Sequence, residues 1–242
     1  MLTVLSVLPQ LLGLNGDSTN AAVLAQRARW AGAEAEVLEW NVNDDAPSAA
    51  PGMVVVGSAT EPDLVVVLAE LRRLEPQFRR WFDGGVPILA IGTGWELLTE
   101  SVTFADGRVR NGVGIFPGRS VPGAGRTTGD LVLRSEFGTL VGFESHERDV
   151  ILAPGATALG TVLRGRGNGA HEGLAGEGLL LGPHICTHLH GPVLAKNPVL
   201  ADRMLASAIG GRYDPETPRL KMIDSLAAAA RSAVLAELKI SD

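Results

Sequence analysis

The sequence predicts an α/β fold, with a mainly parallel central sheet flanked by helices and an additional antiparallel β portion. Two observations carry this. In the first hundred residues, short apolar runs alternate with longer segments of helical periodicity, the pattern of βαβ crossovers. Between Val102 and Gly182 the long periodic segments stop, and β-like runs follow one another across turns that contain Gly, Arg and Asn.

Element by element, Thr3–Leu8, Ala35–Trp40, Met53–Gly57 and Pro87–Ile91 read as strands. Thr19–Ala31 and Asp63–Phe82 read as crossover helices. In the second, Leu64, Val67, Leu68, Leu71 and Leu74 recur at steps of three and four. "GDLVLRS", "TLVGFES", "DVILAP" and "EGLLLGPHICTHLH" are the clearest runs of the β portion, expected to lie against the same sheet because no linker sets off a second domain. Pro198–Ile209 and roughly Pro215–Leu238 close the chain as helices. The last carries an apolar stripe that must pack on the body or on a partner. One domain over residues 1–242 is expected, with 211–242 as a C-terminal helical extension.

A net charge of −6 offers no electrostatic footprint for nucleic acid. The sole cysteine, Cys186, rules out an internal disulfide framework and a multi-cysteine zinc site, and fits a reducing compartment. The apolar start "MLTVLSVLPQLLGLNGDS" lacks a basic n-region, carries Pro9 and Gln10, and is too short to span a bilayer. It reads as a first buried strand and a loop of a cytoplasmic protein, with no membrane insertion.

"VPILAIGTGWELLTE", Val86 to Glu100, runs as a strand, breaks at Gly-Thr-Gly and resumes with helical spacing. Such a strand–turn–helix is where hydrolases present a nucleophile, yet this turn holds neither serine nor cysteine. "CTHLHGPVLAKNP" sets Cys186, His188 and His190 at alternate positions, which on a strand share a face. That trio is a weak metal signal without a further ligand, and Cys186 reads as a small buried hydrophobe. His190, at a strand end before Gly191-Pro192, is better placed as a general base. "LNGDSTNAAVL" reads as an N-cap cluster at Asp17 to Asn20, and "RGRGNG" as a flexible hairpin turn. "GFESHE" sets an acid and a histidine where they either touch a substrate or form a solvated turn.

Taken in order, "NGDSTN", "PILAIGTGWELL", "GVGIFPG", "RTTGDLVL", "LVGFESH" and "THLHGPVLAKNPVLAD" resemble the class I glutamine amidotransferases of the cobyric-acid-synthase-like branch. Within it the chain is similar to the GatD-type glutaminase subunit of lipid II isoglutaminyl synthase, collinearly from about Val4 to Asp202. The resemblance implies a flavodoxin-like glutaminase domain. In that family an elbow cysteine attacks the amide of glutamine, and the ammonia passes to a Mur-ligase-like, ATP-dependent partner in a heterodimer that amidates D-glutamate in a peptidoglycan precursor. It implies His190 as base, Asp17 as a third catalytic member and Arg126 as a substrate contact, with Gly57, Thr93 and Glu96 around the same pocket. Glutamine is the implied ligand, and no cofactor or metal is implied.

The departures fall on the chemistry. Gly92 stands where the family carries its nucleophile, and Glu96 where it usually carries glutamine. The glycine-rich oxyanion segment reads "VVVGSATEPD", with Gly57 kept and Ser58-Ala59-Thr60 altered. Cys186, four strand residues from His190, is expected about 13 Å away. The leading expectation is a subunit impaired or inactive as a glutaminase. Its alternatives are a hydrolase using Thr93 with His190, and a non-catalytic amide-binding or regulatory module.

Overall fold

The structure, a computed structural model, describes residues 1–169 and 176–241. In chain order its elements are β1 (Leu2–Val7), α1 (Thr19–Trp30), β2 (Ala35–Trp40), β3 (Met53–Val56), α2 (Leu64–Arg73), α3 (Glu75–Asp83), β4 (Ile88–Ile91) and α4 (Thr93–Leu98). There follow β5 (Ser101–Thr103), β6 (Val109–Asn111), β7 (Gly118–Ser135), β8 (Gly138–Leu152), β9 (Gly160–Arg164), β10 (Gly176–Glu177), β11 (Leu179–Leu181) and β12 (His184–Thr187). Helices α5 (Val193–Lys196), α6 (Pro198–Ile209) and α7 (Pro218–Leu238) end the chain.

The first sheet has the order β11-β12-β4-β3-β1-β2 and is parallel except for β11. Its central strands β3 and β4 are buried and apolar on both faces, as a sheet covered by helices on each side requires, while the edge strand β2 is largely exposed. Alternate residues divide between two cores: Leu5, Val7, Val54, Val56, Ile88 and Ala90 pack with α2, α3 and α4 on one face. Val4, Met53, Val55, Leu89 and Ile91 pack with α1 and α6 on the other.

The β portion divides: its last run supplies β11 and β12 to that sheet, and the rest forms a second one, β10-β9-β7-β5-β6, with β8 paired antiparallel to β7. Isolated bridges tie Phe143 of β8 to His190 after β12, and Thr157, between β8 and β9, to Leu180 of β11. The single helix expected over Asp63–Phe82 is two: the chain bends at Leu74 (φ −88°, ψ −1°), and α3 restarts with Pro76 in its first turn. Proline has no N–H to donate to the preceding turn, and it disfavours the helical conformation of the residue before it.

The last helix packs on the body. Arg27 of α1, almost wholly buried, bridges Asp202 of α6 at 2.5 Å and Asp224 of α7 at 2.6 Å, and Tyr213 donates to the same Asp202. Tyr213 has its hydroxyl pushed above the ordinary range, first by burial and then by its bond to Asp202. No helix among the described residues is long and apolar enough to cross a membrane.

Candidate active site

The elbow is where the sequence places it. β4 ends at Ile91, α4 begins at Thr93, and Gly92 between them adopts φ 50°, ψ −125°. This positive φ is a backbone shape that side chains resist, and it turns the chain sharply from strand to helix. The Gly92 N–H donates to Thr187 O at 2.9 Å, and its carbonyl accepts from Glu96 N at 3.0 Å, so both sides of the turn are fixed.

Two loops converge on Gly92. The loop after β1 brings Asp17 and the segment after β12 brings His190, 173 residues away in sequence and fully buried with it. His190 Nδ1 lies 2.9 Å from Asp17 Oδ2 and 3.2 Å from Oδ1. A carboxylate only accepts, so Nδ1 is the nitrogen that donates. Nε2 has no hydrogen-bond partner. It faces the elbow: a Cβ built on Gly92 would lie 3.4 Å from it. The His190 N–H donates to Phe143 O at 2.8 Å, and the Phe143 ring packs 5.4 Å from the imidazole.

Gly57 makes this convergence sterically feasible. A Cβ there would meet Leu12 O at 2.1 Å and the Asp17 Cβ at 2.8 Å, so only glycine lets the end of β3 pass the Asp17 loop. Beyond it, Ser58 Oγ donates to Ile91 O at 3.1 Å. Thr93 Oγ1 accepts from Ala59 N at 2.7 Å and donates to Ala59 O at 3.2 Å, so its hydroxyl is committed to Ala59 rather than to His190.

Several expectations are corrected here. Ser18 is the residue before α1, but its side chain makes no capping bond. Asn20 takes over the local work: its amide donates to Asp17 O at 2.9 Å and accepts from Leu194 N at 3.0 Å, pinning the Asp17 loop to α5. Sequence reading grouped Asn20 with the caps and missed that role. Glu96, expected at the substrate, points away into the interior. It is fully buried, with Oε2 3.0 Å from Arg148 Nη1. Arg126 lies on the exposed hairpin of β7 and β8, bonded to Ser145 Oγ at 3.0 Å and Glu147 Oε1 at 3.2 Å, and is not among the groups that meet at Gly92.

"GFESHE" is not a solvated turn. It runs within β8, where Glu144, His146 and Arg148 alternate inward and are buried. They join Glu96, His188 and Glu177 in an ionic cluster behind the elbow. Arg148 also pairs with Glu61 and donates to Thr103 O at 2.7 Å. His188 donates its backbone N–H to Glu177 Oε1 at 2.8 Å and aims Nδ1 at Oε2 at 3.2 Å. Burial pushes Glu177 up, but its bonds from His188 and Thr187 outweigh that and hold it below the usual carboxylate range. Burial, then repulsion from the stacked His146 ring 4.3 Å away, holds His188 down. His146 is also penalised by burial, yet it is raised because both neighbours, Glu144 at 3.0 Å and Arg148 O at 2.7 Å, are acceptors.

Cys186 is fully buried in the apolar core, and burial followed by the nearby Glu177 charge pushes its thiol well up. Cys186, His188 and His190 thus go to three different neighbourhoods, and among the described residues no group of three or more His, Cys, Asp or Glu could hold a metal ion. "RGRGNG" is an ordered turn: the N–H groups of Arg166 and Gly167 donate to the Glu144 carboxylate at 2.7 and 2.9 Å, while Arg166 pairs with Asp149.

A nucleophile-elbow turn over a parallel sheet, with a buried Asp–His pair facing it, defines an acyl-transfer scaffold of the amidotransferase kind. Residues 17–198 match the CobB/CobQ-like glutamine amidotransferase domain, and the chain belongs to that family. It is 29% identical over 219 residues to the GatD subunit of the glutamine-hydrolysing lipid II isoglutaminyl synthase of Staphylococcus aureus, covering 90% of this chain and 88% of that one. It is 26% identical over 206 residues to the corresponding GatD subunit of Streptococcus pneumoniae, covering 84% and 78%. Among solved structures, a glutamine amidotransferase shares the fold with a TM-score of 0.57 and 16% identity, covering 84% of this chain and 98% of that one.

Proposed function

We propose that the chain is a glutamine-amidotransferase-like subunit that has kept the scaffold of a glutaminase but does not hydrolyse glutamine, and that it works bound to a Mur-ligase-like, ATP-dependent partner acting on D-glutamate of lipid II. One observation carries the first half: the unpartnered Nε2 of His190 faces a residue with no side chain. Losing a nucleophile costs several orders of magnitude in rate, and what survives comes from the remaining binding and electrostatic groups. Asp17 and His190 are the retained catalytic pair in this reading, and Gly92 marks the missing nucleophile. The similarity to GatD subunits supports the partner half.

The hydrolase alternative through Thr93 gains nothing from the geometry, since its hydroxyl serves Ala59. The test is ammonia release from L-glutamine by the purified chain, alone and with the Mur-ligase-like protein, alongside amidation driven by free ammonium. Expected are no release above background, formation of the complex, and amidation only when ammonium is supplied. Release at an ordinary enzymatic rate overturns the reading.

A further inference from the structure

The absence of a side chain at Gly92 leaves no hole. A Cβ built there would lie 2.3 Å from Ser58 Oγ and 2.8 Å from His190 Cε1, separations at which something must move. Ser58 is buried and held in place by its bond to Ile91 O. One residue further on, the Ala59 N–H is taken by Thr93 Oγ1 at 2.7 Å. In an acyl-transfer elbow, a backbone N–H from a neighbouring strand–loop joins the N–H that follows the nucleophile to hold the developing oxyanion. Here the candidate for the first of these donors is spent on a side chain of the elbow itself.

We propose that Ser58 and Thr93 form a hydroxyl lock that closes the elbow from both sides. Ser58 Oγ fills the space a nucleophile's side chain needs, and Thr93 Oγ1 occupies the donor an oxyanion needs. The proposal rests on reading the site as a descended glutaminase elbow. It adds that the loss of hydrolysis is written at Ser58, Gly92 and Thr93 together, so returning a thiol to one position does not reopen the site. The Asp17–His190 pair is outside the lock and stays aimed at the filled spot.

Alkylation by iodoacetamide, followed by intact mass and peptide mapping of the full chain, tests this. Cys186 is the internal control, since its buried, protonated thiol labels only if the fold opens. The thiol introduced by Gly92→Cys is expected to react at least roughly tenfold more slowly than the same thiol in Gly92→Cys combined with Ser58→Gly, because access and thiolate character both govern the rate. Adding Thr93→Gly to that pair is expected to give the first detectable ammonia release from glutamine. Equal labelling of the single and double variants overturns the lock while leaving the proposed function standing. Ammonia release by the unaltered chain strikes the function instead. Should the introduced thiol prevent folding, modification of His190 by diethylpyrocarbonate in Ser58→Gly/Thr93→Gly supplies a second reading. It is expected to rise severalfold over wild type, and an unchanged rate overturns the proposal.

Discussion

His188 and His190 are two residues apart on the segment leaving β12, both are buried, and both hold a carboxylate through Nδ1, yet they sit in opposite kinds of surroundings. Around His188, beside the Trp95 ring 4.9 Å away, stand titratable groups: Glu177, the His146 ring, and Glu96 3.9 Å from Nε2, itself paired with Arg148. Around His190 the charge stops at Asp17, and the far nitrogen looks at a glycine. The same two-part unit thus sits inside a network of buried charges in one place and, in the proposed reading, aims a base in the other. What separates the two roles is what Nε2 faces, not how well Nδ1 is held.

The comparison breaks first, if it breaks, at Arg148. Replacing it by Met leaves the fully buried Glu96 without its cation, and a loss of about 3–5 kcal/mol in urea unfolding is expected. A loss under about 1 kcal/mol would show that the cluster is not a closed charge set. Next comes Gly92→Ala, whose methyl group meets Ser58 and His190 at positive φ. A cost of about 1–3 kcal/mol is expected from the same measurement. Smaller again is Asp17→Asn, which keeps an acceptor for His190 Nδ1 and should cost about 1 kcal/mol. If Asp17→Asn matched Arg148→Met, the elbow pair would be as structural as the cluster. The finest distinction is in pH. His146 is raised by its acceptors, so its contribution is complete below its ordinary value of about 6.5 and fades as pH rises through the higher folded value. The stability gap between wild type and His146→Gln should therefore narrow as pH rises above about 6.5, and a constant gap would place His146 outside the charge balance.

Much of the scaffold was legible. Ala35–Trp40 and Pro198–Ile209 coincide with β2 and α6, because their apolar spacing and the flanking turn or proline residues define both ends locally. The elbow was legible too, since two glycines between an apolar run and a helical one have few other uses. The α2–α3 break was signalled by Pro76, and the leucine periodicity running through Leu74 masked it. The ionic cluster was not read, because Arg148 ties it together through residues 52 and 87 positions away and no local pattern announces such contacts. One signal did exist: Glu144, His146 and Arg148 recur at the strand period with complementary charge, in a strand otherwise apolar on that side. The contacts of Ser58 and Asn20 were not legible because each looks like an ordinary polar residue beside a turn, and only the fold brings Ile91, Leu194 and Gly92 to them.

The burial of Cys186 has a practical side. Because it is the only thiol in the chain and lies wholly inside the core, reagents that survey proteins by their reactive cysteines pass this one by, and glutamine-mimicking electrophiles built to capture an elbow thiol find nothing to bond. For the same reason a cysteine placed anywhere on the surface is a unique chemical handle. A dye, spin label or crosslinker can be set on α7, or on the exposed arm of β7 and β8, without first removing a native cysteine.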